Sequence, residues 1–175
     1  DRGRIATCVT ISGKGQSKDT FDGEICQAFS SKHWAYHLGL KSDIFKSKGL
    51  PYKSLDPLAI GIEICNWGQV TRKEGKFYNW VNRVVADEDV IELKTPFRGF
   101  KYFHNYTDAQ IVSVEKLLRY WGAKYNIPLT YHEDIFDVNT RALTGVPGVY
   151  THCSVRYDKV DIYPHPKMIE MLKSL

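Results

Sequence analysis

YTDAQIVSVEKLLRYWGAKYNIPLTYH, residues 106–132, is the stretch that sets the architecture. Thr107 is a good helix N-cap, and Gln110, three residues on, completes a capping box. Ile111, Val114, Leu118, Trp121 and Tyr125 recur at helical spacing, which gives the helix one apolar stripe to bury. Asn126 and Pro128 end it. Residues 127–132 (IPLTYH) then read as a strand. A helix that hands over to a strand, in a chain with several short apolar runs upstream, points to an α/β fold: a central mixed β-sheet flanked by helices.

Upstream, residues 4–11 (RIATCVTI) are rich in β-branched side chains and read as a strand. Residues 24–30 (EICQAFS) alternate apolar and polar and read as its return, with a polar loop over 12–23 between them. Residues 59–66 (AIGIEICN) form a short apolar strand that carries one carboxylate, Glu63. The stretch 67–105 is irregular, charged and aromatic, with short strands expected near 77–81 and 90–93. A last amphipathic helix is expected over 166–175, with Met168, Met171, Leu172 and Leu175 on its apolar side. There are no internal repeats, and 175 residues suit one domain, 1–175.

Bulk composition narrows the function classes. The formal net charge is +4 with both signs interspersed, which argues against dedicated nucleic-acid binding and is only weakly indicative of an anionic polymer such as a bacterial wall. No apolar run approaches the roughly 20 residues of a membrane span. The opening DRGRIATCV lacks the apolar core of a signal peptide, and its strand starts so early that the preceding part of the domain is expected to lie upstream. Cys8, Cys26, Cys65 and Cys153 are scattered without a CxxC pair and are expected to be buried free thiols. Aromatic residues, at 13%, serve sugar-binding clefts and ordinary cores equally.

The chemistry concentrates in GVYTHCSVRYDKVDIYPHP, residues 148–166. His152 and Asp161 are zinc-type donors that a loop could bring together, and Lys159 would lie beside them to stabilise an oxyanion. Spacing alone leaves this open against an incidental surface loop. Glu63 likewise either faces solvent from a half-buried strand or faces a cleft as a general base. His33 and His37 are four residues apart, but the HExxH pattern is absent, so His37 is read as lining a groove.

Five segments, in order, resemble the zinc-dependent N-acetylmuramoyl-L-alanine amidases of the type-2 amidase family, which share a fold with the peptidoglycan-recognition proteins. They are RIATCVTI with DGEICQAF, WAYHLG (34–39), AIGIEICNWG (59–68), YTDAQ (106–110) and THCSVRYDKVDIYP (151–164). The resemblance implies zinc held by His152 and Asp161, with the family's first zinc histidine falling before residue 1. It implies Glu63 as general base and Lys159 as stabiliser of the tetrahedral intermediate. Trp34, His37, Asn66 and Arg156, all inside matched segments, are expected on the substrate side. The implied substrate is the muramic acid to L-alanine amide of peptidoglycan, cut by a monomeric bacterial or phage protein acting on the wall. A domain that binds muropeptides without cutting them is the alternative on the same fold.

Overall fold

The structure, a computed structural model, describes residues 5–14 and 21–175. Arg4 of the first expected strand and residues 15–20 of the loop after it lie outside the described residues.

The fold is α/β, and its N-terminal sheet is mixed. Strand β1 (Val9–Ile11) pairs antiparallel with β2 (Ile25–Gln27) and parallel with β3 (Ile62–Ile64). Successive side chains point to opposite faces, so Val9 and Ile11 enter the core. Thr10 faces the other way, in one cross-strand row with Cys26 and Glu63. That register turns the carboxylate of Glu63 away from the core.

The remaining strands form two separate small sheets. Strands β4 (Thr71–Lys73), β5 (Lys76–Tyr78) and β6 (Val84–Val85) make an antiparallel meander. Strands β7 (Val90–Phe97) and β8 (Phe100–His104) make a hairpin whose register shifts between Glu92 and Phe97, around Pro96, which has no N–H to give the ladder. The hairpin turns in two residues, Arg98 (φ 49°) and Gly99 (φ 86°), the paired left-handed conformations of a type I′ turn. A bridge between Gln69 and Phe103 ties the chain after β3 to β8.

Helices are α1 (Ser42–Ser47), α2 (Asp108–Tyr125), α3 (Thr140–Thr144) and α4 (Pro166–Lys173). The α2 capping box forms: Thr107 Oγ1 accepts from the Gln110 backbone N–H, and Gln110 Oε1 accepts from the Thr107 N–H. Gln110 also donates to the Cys65 carbonyl at 2.8 Å, which fastens the start of α2 two residues beyond Glu63. The helix ends at Asn126, left-handed at φ 53°.

Two apolar clusters result. The larger joins Val9 and Ile11 to Ile111, Val114, Leu117 and Trp121 of α2, to Met168, Met171 and Leu172 of α4, and to Phe103 and Tyr163. Full burial of each such side chain contributes roughly 1.5–3 kcal/mol. The smaller gathers Ile44, Phe45, Leu55, Val138, Leu143 and Val155.

Two expectations are corrected. Residues 127–132 are not a strand. Leu129 folds back against Gly122 of α2, so closely that a Cβ on Gly122 would lie 2.9 Å from Leu129 Cδ1, and this packing replaces sheet pairing. Of the four free cysteines only Cys8 and Cys153 are buried. Cys26 is exposed because every residue of β2, an edge strand among the described residues, is exposed; Cys65, just past β3, is exposed too.

Candidate active site

His152 opens a single 3₁₀ turn, His152–Ser154, and Asp161 lies at the far end of the loop that follows. The loop folds back so that His152 Nδ1 and Asp161 Oδ2 are 2.8 Å apart. The other ring nitrogen, Nε2, is 2.8 Å from the Leu38 carbonyl. Both nitrogens therefore face oxygens that can only accept, and a neutral imidazole has one proton to offer. With Nε2–H donated to Leu38, the Nδ1 lone pair would point toward the Asp161 carboxylate, the orientation normal for a metal-ligating histidine.

Other residues fix these two. Asp56, 5% exposed, accepts from the backbone N–H of His37 (2.7 Å) and Leu38 (3.0 Å), which holds the Leu38 carbonyl where His152 meets it. Beyond Asp161, Tyr163 is fully buried, stacked on Phe103 at 4.3 Å and Tyr106 at 5.0 Å, and its hydroxyl donates to the His104 carbonyl. Between the two ends, the buried Cys153 thiol donates to the Lys159 carbonyl at 3.2 Å. Arg98 reaches in from the β7–β8 turn and donates to the carbonyls of Cys153, Arg156, Tyr157 and Lys159.

Glu63, in the middle of β3, belongs to the same electrostatic group. Glu63 is exposed, yet neighbouring atoms desolvate its carboxyl and raise it above the usual range, the charge of Asp161 adds to this, and His152 and Lys159 oppose it. Asp161 is exposed too; desolvation pushes its carboxyl upward, but the hydrogen bond and charge of His152, with a contribution from Lys159, hold it below its ordinary value. The two carboxyls are thus pushed apart, which is the arrangement that separates a proton acceptor from a permanent anion. Glu63, His152, Lys159 and Asp161 are brought within electrostatic reach of one another.

The four expected substrate-side residues are placed unequally. The His37 ring packs closely against Gly61, where a Cβ would come 2.8 Å from it, and its Nδ1 is 2.8 Å from the Ala35 carbonyl. This explains a glycine two residues before Glu63. His33 and His37 stand in a segment of turns and bends, not on a helix. Trp34 packs edge-on to the exposed Tyr36, ring centroids 5.2 Å apart. Arg156 forms a two-pronged ion pair with Asp158 (2.9 and 2.6 Å) and covers Gly39. Asn66 spends its amide on backbone: it donates to the His104 and Asn105 carbonyls and accepts from the Gly68 N–H. It braces the end of β3 against β8.

Imidazole nitrogen and carboxylate oxygen both suit zinc. The described residues bring two such donors together at His152 and Asp161, and no group of three or more His, Cys, Asp or Glu among them is arranged to hold a metal. Sequence reasoning missed Asp56, Arg98 and Tyr163. Only Arg98 left a local trace, as Arg-Gly between two β-rich runs.

Residues 19–166 match the family described as N-acetylmuramoyl-L-alanine amidase (Amidase_2). No curated protein and no solved structure gives a significant match. The family match covers most of the chain, and the chain belongs to this family.

Proposed function

We propose, from this membership, that the protein hydrolyses the amide joining N-acetylmuramic acid to L-alanine in peptidoglycan, with zinc as its cofactor. The observation that carries the reading is the convergence of His152, Asp161, Glu63 and Lys159, and above all the pairing of both His152 nitrogens with acceptor oxygens. His152 through Nδ1 and Asp161 through its carboxylate would hold the zinc, which when bound supplies Lewis acidity to the attacking water and the scissile carbonyl.

The chain's own groups do the rest. Glu63, its affinity for a proton raised by desolvation and by Asp161, takes the proton of the attacking water and passes it to the departing L-alanine nitrogen. Lys159 presents an ammonium to the oxyanion that develops on the carbonyl. In this reading His152 donates Nε2–H to the Leu38 carbonyl, 2.8 Å away, which would keep its tautomer fixed throughout. His37, Trp34 and Arg156 would meet the muropeptide along the 34–39 loop, and Asn66 would serve that side of the site by bracing the end of β3. The expected place of action is the cell wall, and among the described residues no helix is long and apolar enough to cross a membrane.

One observation favours the rival reading, a muropeptide-binding domain without catalysis: only two metal donors converge among the described residues. The test is release of free L-alanine amine from muramyl peptides by the full-length protein, with zinc content measured alongside. Glu63→Gln should keep the zinc and lose about 10²–10⁴ in rate. Muropeptide binding with no hydrolysis by the wild type would establish the rival.

A further inference from the structure

We infer that Arg98 is a positioning residue for the His152–Asp161 loop, a clamp that shapes the site without touching substrate. The inference rests on the roles proposed above for His152 and Asp161.

Arg98 occupies the first position of a type I′ turn at φ 49°. Asn, Asp or Gly is preferred there, because a β-carbon is unfavourable in the left-handed region. As a turn residue, arginine is a poor choice. Its side chain supplies the compensating interactions. The side chain is only 15% exposed, and its two terminal nitrogens lie within hydrogen-bond distance of five backbone carbonyls, with Nη1 sharing its two protons among three. Nη1 serves Arg156 (2.9 Å), Tyr157 (2.8 Å) and Lys159 (2.5 Å); Nη2 serves Phe136 (3.1 Å) and Cys153 (3.3 Å). Its one carboxylate neighbour, Asp137, is 3.9 Å away and largely exposed, so charge pairing is a minor part of what holds it.

The positions of those carbonyls give the clamp its meaning. Cys153 follows His152 directly, and Lys159 stands two residues before Asp161. One rigid planar group therefore grips both stems of the loop whose ends carry the two zinc-type donors. The Cys153 thiol closes the same ring by donating to the Lys159 carbonyl. Without the guanidinium, these mostly part-buried carbonyls lose their common donor, and the loop they belong to loosens. A lysine would keep the charge, but its single nitrogen has three donors and cannot span the fork.

The experiment uses the full-length protein with Arg98→Gly and Arg98→Lys. Glycine suits the turn, so the β7–β8 hairpin should persist in Arg98→Gly. Amides of residues 152–161 should exchange hydrogen at least tenfold faster than in the wild type, while α2 amides do not change. Zn²⁺ affinity, measured by titration, should fall about 10–100-fold in both variants, the usual loss when a group supporting a metal ligand is removed. Turnover of muramyl peptide should fall in parallel with KM little changed. Added free guanidinium should partly restore Arg98→Gly and leave Arg98→Lys unaffected. Unchanged loop exchange with unchanged Zn²⁺ affinity in Arg98→Gly would overturn the inference, as would full function in Arg98→Lys. A wild type that hydrolyses nothing would instead sink the proposed function, and loop exchange would still decide the case for Arg98.

Discussion

At the scale of single residues, the site separates groups that do chemistry from groups that hold them. Lys159 belongs to the first kind in the proposed mechanism: its ammonium matters only once the carbonyl oxygen gains charge. Lys159→Ala should therefore lower turnover about 10²–10³-fold with zinc content and KM little changed. Collapse of the zinc content would show instead that Lys159 supports the loop. Gly61 belongs to the second kind. A methyl group there would meet the His37 ring and the Thr7 methyl at about 3 Å. Gly61→Ala should raise KM for muramyl peptides by displacing His37, and a crystal structure of the variant would show the ring moved off β3. Glu63 stood out in the sequence as a lone carboxylate in an apolar run, whereas His152, Lys159 and Asp161 stood out only through the resemblance of their segment to the amidase family. Asp56 did not, because its partners are two backbone amides nineteen and eighteen residues away. Arg98 left only the trace of its turn, since an arginine that binds carbonyls looks, in sequence, like any surface arginine.

At the scale of elements, legibility followed how local the determining interactions are. The start of α2 was readable because a capping box is made within four residues, and Thr107→Ala should cost about 1 kcal/mol in urea unfolding. The effect should be larger than in an isolated helix, because Thr107 Oγ1 also donates to Asp22 at 2.8 Å. The segment after α2 was misread because its apolar, β-prone residues fit a strand, whereas the packing of Leu129 on Gly122 is a tertiary fact. Helix α4 offers a pH test. His165, 3% exposed, caps it: Nδ1 accepts from the Met168 N–H, and Nε2 pairs with Asn105 Oδ1 at 2.8 Å. Burial first, then the charge of Lys167, lowers its pKa to about 4, from an ordinary 6.5, against a smaller upward push from Asp108. The unfolded chain thus binds the proton more readily between these values. The contribution is complete above pH 6.5, declines as pH falls toward 4, and is on the order of 3 kcal/mol at most. Unfolding free energy measured by denaturant from pH 7 to 4 should fall over this window, and His165→Asn, which keeps a capping acceptor, should flatten the decline.

At the scale of the whole molecule, the site lies where two apolar clusters meet. Tyr163 and Phe136 belong to the larger cluster, Val155 and Leu38 to the smaller, and the loop from His152 to Asp161 runs between them. This division could not be read from the sequence, because the apolar runs of residues 38–55 and 138–155 say nothing of which core they join. Local stability follows local packing, so the smaller cluster should open first on heating. The proposed hydrolysis should then fade several degrees below the main melting transition followed by circular dichroism, with early exchange in residues 38–56 and 138–155. Coincident loss of activity and ellipticity would show that the two clusters unfold as one. The contact of His152 with the Leu38 carbonyl then acquires another meaning. It makes the imidazole a reporter of whether the smaller cluster is closed, because Leu38 cannot leave without releasing the ring. A warmed sample would be switched off rather than destroyed, and cooling should return its activity as fast as that one cluster can close.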